Sequence, residues 1–151
     1  MNLSKLKKVV TGFRDGAPVL SVAPPVVIKA PQSDDDHWAA CHWISGRPTR
    51  IEADDLSETW RDRLPPPQGS AFRLFQFAPA GQPGSSGEFH TTHSVDYVVI
   101  ISGRLWLILE NDEIELNPGD TIVQRGTPHR WENRGDEPCF AASVMISAQQ
   151  P

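Results

Sequence analysis

Two stretches of the chain carry most of its reactive side chains. One is Gly87-Glu-Phe-His90-Thr-Thr-His93-Ser-Val-Asp96-Tyr97, closed by Gly103. The other is Pro118-Gly119-Asp120, then Gly126-Thr127-Pro128-His129, then Asn133. Together they hold three of the five histidines and one strand-borne carboxylate. Imidazole with carboxylate is the donor set of a small divalent metal site. His90, Asp96 and His129 would make two histidines and one carboxylate, leaving open positions for substrate, water or dioxygen.

Strand side chains alternate faces. If His90 points inward, so do Thr92, Ser94, Asp96, Val98 and Ile100. A polar end on an apolar row suits the mouth of a β-barrel pocket. His93 has the opposite parity and becomes a ligand only through a bulge. In the second stretch His129, Trp131 and Asn133 share a parity, with Gly126 and Pro128 shaping the turn before them.

Each of these residues also has a plainer reading. Asp96 would otherwise be a buried carboxyl bonded to Thr92 or Ser94, and His129 a turn histidine with its bonds satisfied. Tyr97 heads an apolar run as a core residue; as a catalytic group it would donate a proton, with His93 as an acid–base partner. Trp131 would wall the pocket or pack in the core. Thr92 would offer a hydroxyl to substrate. Arg73 would hold a substrate carboxylate bidentately or make an outward salt bridge. His37 and His42 lie away from these stretches, and Asn133 reads as a turn residue.

The elements that must position this chemistry are short strands. Fourteen prolines and eleven glycines argue against long helices. From Ser70 onward, apolar or alternating runs follow one another: Ala71–Phe77, Tyr97–Ile101, Arg104–Leu109, Glu113–Leu116, Thr121–Val123, Arg130–Asn133 and Cys139–Ser147. Gly, Pro and Asn punctuate them, as in a sandwich or barrel. Before Ser70, Lys8–Thr11 and Val19–Val22, the latter continuing after Pro24-Pro25 as Val26-Val27-Ile28, read as a β-arm, with turn chemistry at Gly12 and Asp15-Gly16. Residues 32–67 read as irregular, with a solvated acidic turn at Ser33–Asp36 and a short helix over Leu56–Leu64 ended by Pro65-Pro66-Pro67. The division is residues 1–69, arm and covering segment, and 70–148, barrel.

At 151 residues the chain has the length of a single domain, enough to bury about 70% of its unfolded surface. The net charge of −5 without a basic cluster excludes a nucleic-acid footprint. No apolar run reaches membrane-spanning length, and no signal core follows Lys5, Lys7 and Lys8. Cys41 and Cys139 are far apart and outside any CxxC pair, which predicts two reduced thiols and a cytoplasmic protein.

The two stretches resemble the paired motifs of the cupins, and the chain is similar to a small single-domain cupin of the conserved-barrel, jelly-roll kind. Gly103 matches the closing glycine of the first motif. Counting back, Asp96 falls on its glutamate, His90 on its first histidine and Thr92 on its second histidine. In the second motif Gly119, Gly126, His129 and Asn133 match, while Gln124 occupies the proline position. The resemblance to one subgroup extends to Val9-Val10-Thr11-Gly12, Leu64-Pro-Pro-Pro67, Asp96-Tyr97 and the run from Val123 to Asn133.

The resemblance implies an all-β cupin double-stranded β-helix (jelly-roll barrel) with an N-terminal β-arm and an irregular covering segment. It implies a divalent metal, Fe(II), Mn, Zn or Ni, held by His90, Asp96 and His129, with His93 as a further ligand if the strand bulges. The expected activity is that of a metal-dependent dioxygenase, lyase, isomerase or decarboxylase acting on a small oxygenated or carboxylated molecule. The alternative is a metal-free cupin binding a small molecule as a sensor or accessory protein. A homodimer through the edge-like arm is expected, with no nucleic-acid or membrane partner.

Overall fold

Two apolar rows, one from the first motif and one from the strands around the second, face each other across the interior. Val98 and Ile100 stand opposite Leu105, Leu107, Leu109 and Leu116, with Val9, Ile122, Cys139 and Ala141 completing the cluster. The computed structural model describes residues 7–23, 26–29, 38–41 and 64–149. In chain order the strands are β1 (Lys8–Arg14), β2 (Ala17–Ala23), β3 (Val26–Lys29), β4 (Trp38–Cys41), β5 (Ser70–Phe77), β6 (Ser94–Ser102), β7 (Leu105–Ile108), β8 (Glu113–Leu116), β9 (Thr121–Arg125), β10 (Arg130–Glu132) and β11 (Cys139–Ser147). Among the described residues there is no helix.

A six-stranded sheet runs β2-β1-β9-β6-β11-β5, and a three-stranded sheet runs β10-β7-β8. Burying the inner faces of both sheets against one another gives an all-β barrel, as the strand pattern predicts and the resemblance to the cupins implies. β6 lies between β9 and β11, so its inward residues are enclosed on both sides. Its burial alternates over Ser94, Asp96, Val98 and Ile100, as the period-two reading requires.

Gly103 joins β6 to β7 with φ of 75°. A Cβ there would lie 2.6 Å from the Pro138 carbonyl oxygen and 2.7 Å from Cys139 Cα, so backbone approaches backbone at this turn.

The arm forms as an antiparallel hairpin of β1 and β2, turned at Asp15-Gly16 with positive φ at both residues. Gly12 lies within β1 and pairs with Val19 rather than making a turn, because the Asp15-Gly16 pair already reverses the chain. The arm extends the barrel sheet: β1 runs parallel to β9, with Val9 opposite Ile122. Lys7 anchors its start, its backbone N–H donating to Asp120 Oδ1 (3.1 Å) and its ammonium lying 3.1 Å from Oδ2.

In the segment expected to be irregular, Trp38–Cys41 instead form β4, paired with β3 from Lys29–Trp38 to Val26–Cys41. The β-branched run Val26-Val27-Ile28 supplies the partner that the reading of 32–67 lacked. The expected acidic turn at 33–36, the helix over 56–64 apart from Leu64 itself, and His37 and His42 lie outside the described residues.

Candidate functional site

His90 and His129 meet across an isolated antiparallel bridge. His90 N–H donates to the His129 carbonyl (2.9 Å), and His129 N–H donates back to the His90 carbonyl (3.0 Å). Their ring centroids lie 4.4 Å apart with planes at 51°. The bridge brings the first motif against the second before β6 begins, so His90 arrives from the loop rather than from the strand row. Gly126 closes the same junction: at φ of 65°, a Cβ there would lie 3.1 Å from the Thr92 carbonyl oxygen.

Each imidazole is bonded to the backbone carbonyl two residues before it. His90 Nδ1 donates to Glu88 O (2.9 Å), and His129 Nδ1 donates to Thr127 O (2.9 Å). A carbonyl can only accept, so Nδ1 carries a proton on both rings, and in the neutral form of either ring Nε2 is the lone-pair nitrogen. His129 is buried whereas His90 is exposed. Burial pushes the His129 pKa down to about 4, opposed by its bond to Thr127 and assisted by the nearby His90. The ring is therefore neutral at pH 7 and acts there as an acceptor. Trp131 meets His129 edge-on at 5.7 Å and packs, partly buried, against the hydrophobic core.

Asp96 is buried on β6. Ser94 Oγ donates to its Oδ1 (2.6 Å) and Thr92 Oγ1 to its Oδ2 (3.5 Å). Burial raises the Asp96 pKa, working against these bonds and the fields of His90 and Arg73. Arg73 sits on β5 opposite Ser143, half-buried, close enough for Asp96 to feel its charge.

The remaining candidates lie elsewhere. Tyr97 has the opposite parity to Asp96 and lines an apolar groove of about 380 Å³ on the outer face of the large sheet, with Phe72, Val99, Val123 and Val144. His93 is exposed, and its carbonyl accepts from Ala148 N–H (3.0 Å). Asn133 is buried and binds the backbone around it: Nδ2 donates to Ala78 O (3.0 Å) and Glu137 O (2.8 Å), and Oδ1 accepts from Gly135 N–H (2.8 Å). Cys139 is a buried free thiol whose pKa burial raises to about 11, which leaves it inert as a nucleophile.

Among the described residues, no group of three or more His, Cys, Asp or Glu side chains is placed to hold a metal ion. The structure joins the two imidazoles and puts the Asp96 carboxyl on hydroxyl partners, so these residues do not fit the three-ligand centre that the motif implies. Sequence reasoning missed the carbonyls of Glu88 and Thr127, which select the tautomers. Backbone groups carry no residue-type signal, and only the two-residue spacing to each histidine hints at them.

A Cupin domain family model matches residues 80–145. An oryzines biosynthesis cluster protein J from Aspergillus oryzae is 31% identical over 148 residues, covering 92% of this chain and 79% of that protein. A phomopsin biosynthesis cluster protein C' from Diaporthe leptostromiformis is 41% identical over 69 residues, 45% of this chain and 34% of its own length. A cupin-domain-containing oxidoreductase from Aspergillus ruber is 41% identical over 66 residues, 43% of this chain and 30% of its own length. The chain thus spans about a third of these last two relatives. Among solved structures, a cupin 2 conserved barrel domain protein from Salinispora arenicola aligns with a TM-score of 0.47 at 19% identity, covering 68% of this chain and 92% of that one. Among the described residues, no helix is long and apolar enough to cross a membrane.

Proposed function

The chain belongs to the cupin family, and from that premise we propose that it is an enzyme that binds a small oxygenated organic molecule at the His90–His129 end of its barrel. The observation that supports this is the double tautomer lock: both rings are bonded through Nδ1 to a backbone carbonyl at 2.9 Å, which leaves Nε2 as the acceptor of the neutral ring. A hydroxyl or carboxylic O–H of the substrate is the complementary donor. The pKa of about 4 for His129 makes that ring a poor base toward an ordinary alcohol, so its part is to accept a hydrogen bond and orient the substrate. The names of the relatives, cupin-domain-containing oxidoreductase and biosynthesis cluster protein, favour an oxidoreductase working in the biosynthesis of a small molecule.

Thermal-shift measurements with hydroxylated and carboxylated aromatic and aliphatic acids test this reading. A ligand that raises the melting temperature of the wild type but not of His90→Ala supports it, since binding to the folded state stabilises by mass action. Equal shifts in both proteins, or none in either, would sink it.

A second reading keeps the metal. Imidazoles whose second nitrogen is bonded to a carbonyl are also oriented as metal ligands are, with His90 and His129 as the two protein nitrogens. Elemental analysis of protein purified without added metal distinguishes the readings: a stoichiometric ion lost in His90→Ala supports the metal, and a metal-free protein that still responds to ligand supports the first reading.

A further inference from the structure

We propose that Gln124 is a positioning residue for His129, holding the carbonyl that keeps the proton on Nδ1 of that ring. The proposal rests on the site described above and deepens it, because it names what prepares His129 as an acceptor. Gln124 lies near the end of β9 and is fully buried.

Its amide has little freedom. Oε1 accepts from Thr11 Oγ1 (2.7 Å), from Thr127 Oγ1 (2.7 Å) and from Thr127 N–H (3.2 Å). Nε2 donates to Thr127 O at 3.4 Å. Exchanging the amide oxygen and nitrogen would aim an NH2 group at a backbone N–H, so one orientation alone satisfies the network.

The same Thr127 carbonyl accepts from His129 Nδ1 (2.9 Å). Gln124 therefore grips Thr127 by its N–H, its hydroxyl and its carbonyl. The imidazole reads its tautomer from a backbone group whose direction the glutamine sets.

The network also reaches the arm. Thr11, on β1, is fully buried; its hydroxyl donates to Gln124 and accepts from Arg125 N–H (2.8 Å). The hairpin that sequence reading assigns to subunit pairing thus supplies one end of the chain of bonds that ends at His129. Unsatisfied polar atoms are costly in such an interior, and among the described residues no buried side-chain nitrogen or oxygen is left without a partner.

The test reads the ring itself. The full chain, labelled with 15N-histidine, gives the His129 tautomer from two-bond nitrogen–proton correlations, which a merely structural role of Gln124 would leave unmoved. In the wild type the Nδ1–H form is expected to dominate. In Gln124→Leu the Nε2–H fraction is expected to rise about fivefold or more, because the carbonyl is no longer held, and in Thr11→Val it is expected to rise in the same direction, because Gln124 Oε1 loses the bond that helps to fix its amide. Thr11→Ser, which keeps the hydroxyl, should retain the wild-type tautomer.

If Gln124→Leu does not fold, Thr11→Val carries the test, since it keeps the side-chain volume. An unchanged tautomer with a lowered melting temperature overturns the proposal, as does a wild type found mainly as Nε2–H. A tautomer that shifts as expected in a protein with no ligand response leaves the positioning role standing and refutes the binding site instead.

Discussion

His90 and His129 exchange both backbone hydrogen bonds, at 2.9 and 3.0 Å, and hold their rings 4.4 Å apart. One bridge thus does what the two motifs require of the fold: it brings the loop before β6 against the turn before β10. The bonds are main-chain, so the juxtaposition does not depend on the imidazoles. Ring chemistry and local architecture can therefore be separated by mutation.

His90→Ala should change stability by no more than about 0.5 kcal/mol, because the ring is exposed and the bridge survives its loss. The response to ligand should disappear with it. His129→Ala removes a fully buried ring and should cost about 2–3 kcal/mol in addition to the ligand response. Urea denaturation read beside thermal shift distinguishes the two variants. A His90→Ala protein as unstable as His129→Ala would show that the exposed ring is structural.

Gly103→Ala should be among the most damaging single-methyl additions. The new Cβ would meet the Pro138 carbonyl oxygen at 2.6 Å and Cys139 Cα at 2.7 Å, with φ at 75°. Backbone on both sides cannot yield as a flexible side chain would, and a loss of about 3 kcal/mol is expected. Gly81→Ala is the control: its φ of 76° is similar, but nothing lies within 4 Å of the added carbon. It should cost only about 1 kcal/mol. Equal urea midpoints for the two variants would refute the steric account.

Asn133 matches the last residue of the second motif, yet its side chain binds backbone groups on two segments. Asn133→Ala should cost about 2–3 kcal/mol by orphaning those groups. The ligand-induced shift of the protein that remains folded should stay as in the wild type. A variant of unchanged stability with no ligand response would place Asn133 in the site itself.

The alternation from Ser94 to Ile100 was legible because its period is local, and so was the arm, whose turn residues are adjacent. Tyr97, read as a core residue from its place at the head of an apolar run, instead lies one step from Asp96 and lines the outer groove. What the sequence could not supply was register between distant segments. His90 reaches His129 from a loop, and β1 finds β9 in parallel, through pairings that no periodicity encodes. The triad expected from spacing depended on His90 continuing the Asp96 row. The bridge takes His90 to His129 instead and leaves Asp96 with Ser94 and Thr92.

The pH dependence of stability should carry opposite signatures from His129 and Asp96. His129 falls from its ordinary 6.5 to about 4 on folding, so between these values the unfolded chain binds more protons than the native one. Stability from this group is fully present above pH 6.5 and is lost as the pH falls toward 4, by about 3 kcal/mol in all. Asp96 is raised above its ordinary 3.8, so the native state holds its proton more tightly and stability from this group declines as the pH rises through the folded value. Urea midpoints at pH 7, 5.5 and 4 resolve the two. His129→Asn should flatten the loss between pH 6.5 and 4. Asp96→Asn should leave that loss in place and gain on the wild type as the pH increases from 4 to 7, because it lacks the buried charge. A wild-type midpoint constant from pH 7 to 4, with both variants parallel to it, would show that neither group is held in the state its burial dictates.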